Sequence, residues 1–122
     1  MNHTARLNSL IERVADAPAP SRELFAEMWF ATTGKQHPDI KGRFAVLMDA
    51  KAWTEAALIT VACALPDWRV VTKASVGPGE ALMLPPDPGG IVQEGSSDTV
   101  RHAGGTALAI LEAMLRVKSE DR

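Results

Sequence analysis

Gly105-Thr106-Ala107-Leu108-Ala109-Ile110-Leu111-Glu112-Ala113-Met114-Leu115-Arg116-Val117 has the periodicity of an α-helix and not of a strand. Leu108, Leu111 and Leu115 recur on one face, with Ala107, Ile110 and Met114 beside them. Glu112 and Arg116 stand at i,i+4 on the other face, in the order that favours an ion pair. The run predicts a helix that begins near Gly105 or Thr106 and covers a core. It contains no reactive group.

Upstream of this helix the pattern changes period. Trp68 to Ser75 alternates as a strand, with Trp68, Val70, Thr72 and Ala74 on one face and Arg69, Val71, Lys73 and Ser75 on the other. Val76-Gly77-Pro78-Gly79 reads as a turn, and Glu80 to Leu84 as a second strand closed by Pro85-Pro86. Ile91 to Glu94 offers a short third strand, and Gly95 to Asp98 a loop.

The first half of the chain is helical. Leu7, Leu10, Ile11 and Val14 mark a helix from Thr4 to Asp16, with Thr4 as N-cap and Ala17-Pro18-Ala19-Pro20 as its end. Ser21 caps a second helix through Thr33, lined by Leu24, Phe25, Met28 and Trp29 and stopped by Gly34. Lys35 to Gly42 reads as a polar loop. Phe44 to Met48 fits either a strand or the first turn of the next helix. A third helix begins at Asp49 or Thr54 and runs to Leu65, ahead of Pro66. It is apolar nearly all round, which predicts burial on more than one side. Ala56, Thr60 and Ala64 would admit a close neighbour.

Composition bounds the function. The chain has 122 residues, enough for one core, and 46% of them are apolar. Its net charge of −2 gives no electrostatic case for nucleic-acid binding. Cys63 is the one cysteine, so no intramolecular disulfide forms, and it reads as a small core residue. Met1 to Thr4 lacks a signal peptide's apolar core, and the most apolar run, Ala56 to Leu65, is too short for a membrane span. A bacterial cytoplasm is the expected location.

The order of motifs resembles a small phage and prophage domain described as an α/β/α (ABA) sandwich. Thr54-Glu55-Ala56-Ala57 stands where that family has Ser-x-Asp-Ala-Ala. Pro66-Asp67-Trp68 stands for its Pro-Glu-Gly-Trp, without the glycine. Thr106-Ala107-Leu108-Ala109-Ile110-Leu111 stands for its Thr-Pro-Ala-Leu-Ala-Leu helix, without the proline. Ser9 to Val14 and Ser21 to Leu24 are similar to the family's opening. The resemblance implies a mixed α/β fold and a mobile-element origin, and it carries no catalytic residue across.

The chemistry-bearing residues do not form a recognisable set. His37-Pro38-Asp39 is the tripeptide of J-domain co-chaperone loops. The preceding helix here carries Glu23 and Glu27 and no lysine, so a turn initiated by Pro and Asp is the better reading. His3, His37 and His102 lie in separate segments without metal-ligand spacing, and His102 beside Arg101 reads as a solvated loop residue. Ser96-Ser97-Asp98 with His102 is too local to be a positioned triad. Gly104-Gly105 reads as a flexible lead-in to the last helix.

The sequence therefore predicts one α+β domain over residues 1–122. It has a small antiparallel sheet of three to four strands, covered by about four helices in two to three layers. No catalytic, cofactor-binding or metal-ligating residue is assigned. The expected function is a non-enzymatic phage or prophage accessory protein acting by protein–protein contact, with inhibition of a host-defence complex (anti-CRISPR or anti-restriction) as the narrower form. The candidate interaction residues are Lys35, His37, Asp39, Lys41, Arg43, Arg69 and Lys73. A homo-oligomeric phage structural protein, dimerising through the third helix, is the alternative, and a small hydrolase comes third.

Overall fold

The computed structural model describes residues 3–33, 38–73, 78–85 and 99–120. Helix α1 spans His3–Asp16, α2 Arg22–Thr33, α3 Pro38–Asp49 and α4 Trp53–Ala64. Strands β1 (Arg69–Lys73), β2 (Gly79–Leu84) and β3 (Val100–His102) follow, and α5 (Thr106–Glu120) closes the chain. The predicted class holds: among the described residues, five helices accompany a three-stranded antiparallel sheet in the order β1-β2-β3. The expected Ile91–Glu94 strand, the Gly34 stop and the Gly95–Asp98 loop lie outside the described residues.

Helix α5 is the centre of the molecule. It packs against β2 and β3 and also against α1 and α4. Every residue from Ala107 to Leu115 is consequently buried, Glu112 at 8% exposure among them. The sequence pattern had Glu112 on the face away from Leu108, Leu111 and Leu115. Ala109 and Ala113 explain the difference, because their small side chains let neighbours close over that side as well. Arg116 keeps its head half exposed and reaches back to Glu112 Oε2, with Nη2 at 2.9 Å, so the buried carboxylate is paired. The close fit extends to the strand. A Cβ on Gly79 would lie 2.2 Å from the backbone nitrogen of Thr106.

The sheet presents one face to this helix. Gly79, Ala81 and Met83 of β2 are buried, while Glu80, Leu82 and Leu84 between them are partly open. Val100 and His102 of β3 are buried and Arg101 is exposed, the period-two signature of a strand. His102 is therefore a core residue at 4% exposure, which corrects its reading as a solvated loop residue. Adjacent residues of a strand point to opposite faces, so an exposed Arg101 requires an inward His102.

Two helical readings also change. Residues 38–42 are the start of α3, not loop, and Phe44 to Met48 continues it. Pro38 suits the first helical position, where no N–H is needed, and Asp39 sits in the first turn, where the helix dipole favours an acid. The helix stops in a Schellman turn. Ala52 N–H donates to Leu47 O at 2.8 Å and Lys51 N–H to Met48 O at 3.0 Å, with Lys51 at φ 59°. This turn separates α3 from α4. Helix α4 buries only one side, through Ala56, Ala57, Thr60 and Val61, while Leu58 and Ala62 are exposed. The expectation of all-round burial transfers to α5. Elsewhere the expected punctuation is present: Ser21 Oγ accepts the N–H of Leu24 at 3.2 Å, the bond of an N-cap. Helix α1 begins at His3, so Thr4 lies inside its first turn.

Gly42 sits within α3 with open space where a Cβ would be. Gly42→Ala is expected to stabilise the fold by about 0.5–1 kcal/mol, from the smaller backbone entropy lost by alanine in a helix. Chemical denaturation should show a higher midpoint at unchanged slope.

Candidate functional site

Helices α2 and α3 both rest on α4 and leave a groove of about 290 Å³ between them. Its floor is built from stacked rings. Trp29 and Phe44 face each other at 4.7 Å between centroids and 23° between planes, joining the two helices. Ala26 and Phe30 from α2, and Ala45 and Met48 from α3, form the walls. The sequence places these residues together by helical period. Phe44, Ala45, Met48 and Lys41 lie on one side of α3, and Arg22, Ala26, Trp29 and Phe30 on one side of α2.

Each end of the groove is spanned by a side-chain contact. Arg22, at the start of α2, is ion-paired with Asp49, at the end of α3. Lys41 Nζ lies 4.7 Å from the centroid of the Phe30 ring at the other end. The walls are apolar, and the two cations mark the rim. Phe30 remains 42% exposed even under Lys41. A single-sided helix pair of this kind has the layout of a site for an apolar side chain carried on a partner's helix or loop.

The described interaction candidates fall on three surfaces. Lys41 is in the groove. Asp39 and Arg43 are exposed on α3, turned away from it with Val46. Arg69 is exposed on β1, and Lys73 takes the last register position of that strand, opposite Glu80. Lys35 and His37 lie outside the described residues. Charge alone singled out Lys41, and it missed Ala26, Phe30 and Ala45. The signal that could have found them is the Lys41-Phe44-Ala45-Met48 spacing, once Pro38 is read as a helix start.

The remaining polar groups serve the fold. His102 Nδ1 accepts the N–H of Gly104 at 2.8 Å, which leaves Nε2–H to donate to Val14 O at 2.6 Å. The Gly104-Gly105 turn is thus tied and, at Gly104, tightly packed, not a flexible lead-in, and both of its N–H donors are engaged, that of Gly105 by His102 O at 3.2 Å. Arg13 pairs with Glu27 across α1 and α2. That hydrogen bond holds the Glu27 carboxyl below the ordinary range and the Arg13 guanidinium above its own. Burial pushes the Cys63 thiol up, away from the thiolate form a nucleophile needs. Among the described residues there is no cluster of three metal-ligating side chains, and no helix is long and apolar enough to cross a membrane. Compared with protein-family models, curated proteins and solved structures, the chain matches none of them.

Proposed function

We propose that this chain acts by binding another protein, with the α2–α3 groove as its docking site. The observation that carries the reading is the groove itself: an apolar, aromatic-floored channel with cations at its rim. The partner inserts an apolar anchor between Trp29, Phe30, Phe44 and Ala45, and an acidic group beside the anchor meets Lys41. Buried aromatic surface supplies most of the affinity in such a contact, and the rim charges supply orientation. The resemblance to phage α/β/α sandwich domains extends the reading to an accessory protein whose partner belongs to a host machine, a host-defence complex in its narrower form.

The dimer alternative rested on the third helix needing a second copy to complete its burial. Helix α4 buries Ala56, Ala57, Thr60 and Val61 against its own chain and leaves Leu58 at 40% exposure and Ala62 exposed, and that apolar surface is what supports the dimer alternative.

Quantitative capture from host lysate separates groove binding from general stickiness. Ala45→Arg fills the groove with a charged side chain. Val46→Arg places the same charge on the opposite side of α3, at a residue already 65% exposed. Ala45→Arg is expected to reduce recovery of a stoichiometric partner about tenfold or more. Val46→Arg is expected to leave it unchanged. Equal effects of the two substitutions would remove the groove from the reading.

A further inference from the structure

We infer that the outer edge of β1 receives an extended, acidic segment of a partner protein as a fourth strand of the sheet. Among the described residues, β1 pairs with β2 on one side only, and its other edge has no strand beside it. An unpaired strand edge is a template for another chain, and soluble proteins ordinarily blunt it or use it.

The outward face of this edge has a definite chemistry. Arg69 and Val71 are exposed, Val71 at 49%, and position 73 continues the alternation with lysine. The cross-strand neighbours show how much of this charge the sheet already answers. Lys73 stands opposite Glu80, which also faces Arg101 on β3. Arg69 stands opposite Leu84, and Val71 opposite Leu82, so the cation at position 69 has no acid across the ladder. The described side chains on this face therefore carry Arg69 and Arg101 against Glu80, with a lysine at register position 73. A shallow depression of about 190 Å³ beside Val71 and Leu82, bounded by Thr72, Glu80 and Thr99, lies on the same face.

This pattern decides the occupant. A second copy pairing antiparallel through β1, centred on Val71, would set Arg69 of one chain against Lys73 of the other, twice. Like charges directly opposite are destabilising, so the edge rejects itself. A strand with an acid, a β-branched residue and an acid at alternate positions would instead place its acids against 69 and 73 and its apolar side chain against Val71. The main-chain ladder supplies affinity, and the alternating side chains supply selectivity. This inference stands on the sheet and not on the α2–α3 groove.

Fluorescence anisotropy with the full chain tests it, using a labelled Glu-Thr-Val-Thr-Glu peptide and its Lys-Thr-Val-Thr-Lys counterpart. The acidic peptide is expected to bind saturably and about tenfold more tightly than the basic one, from two cross-strand charge pairs. Arg69→Glu should narrow or invert that preference. Ala45→Arg should leave it intact, which separates failure here from failure of the groove. Slower amide exchange confined to β1 on adding the acidic peptide would place it at the edge. Equal binding of both peptides, binding without protection of β1, or no saturable binding would overturn the inference. A dimer in sedimentation that Val71→Lys dissociates would also overturn it, by assigning the edge to a second copy.

Discussion

Gly79→Ala is expected to cost about 3 kcal/mol or more, from the closest backbone clash that an added Cβ would meet at any of the described glycines. The added Cβ would meet Thr106 N at 2.2 Å and Thr106 Cα at 2.4 Å, both backbone atoms. No rotamer change relieves a clash with backbone. Either β2 or the start of α5 must move. Because α5 is enclosed by the sheet, α1 and α4, a shift at its first turn disturbs every layer. Thermal unfolding should fall by on the order of 10 °C. Gly42→Ala gives the opposite sign in the same assay, so the pair separates steric exclusion from a general intolerance of glycine replacement.

His102→Ala carries the second large effect, about 2–3 kcal/mol. The imidazole is the only side chain among the described residues shown joining β3 to α1 by a hydrogen bond. Truncation leaves a cavity and removes the acceptor from Gly104 N–H. Val14 O is less exposed to the loss, because it also accepts from Ala17 N–H at 3.2 Å. The two bonds can be restored separately. Asparagine mimics Nδ1 and can accept from Gly104, whereas glutamine mimics Nε2–H and can reach Val14. His102→Asn is therefore expected to recover more stability than His102→Gln in denaturant titration. Equal recovery, or none, would show that packing outweighs the polar pair.

How much of this was legible in the sequence depended on the length and punctuation of each element. The run from Thr106 to Val117 identified α5, and Ser21 identified the start of α2, because helical period and an N-cap are local signals. Strand β1 was legible from alternation, and β2 from the Val76-to-Gly79 turn signal and the Pro85-Pro86 that bound it. Strand β3 was not, since three residues ahead of the Ala103-Gly104 turn carry too little pattern to register. His102 was misread with it. The all-round apolar character of α4 pointed to the wrong central helix. Hydrophobicity reports that a helix is buried somewhere, while Ala109, Ala113 and Gly79 report how closely neighbours approach, and that signal belongs to α5.

The groove was only partly legible for a related reason. Pro38 and Asp39 serve both turns and helix starts, and reading a turn there removed the first half of α3. Without that helix, Lys41 was a loop charge, and Phe44 to Met48 had two readings. Phe30 carried no sequence signal of its own, because its exposure follows from the space between α2 and α3 and not from its neighbours in the chain.

The central claim is that the α2–α3 groove is where a partner docks. Photocrosslinking in host cells tests it most directly, with a benzophenone amino acid placed at position 26 or 45 inside the groove and at position 46 outside it. The expected result is one discrete adduct of the same mass from positions 26 and 45 and none from position 46. Adducts from position 46 alone, or identical adducts from all three, would contradict it.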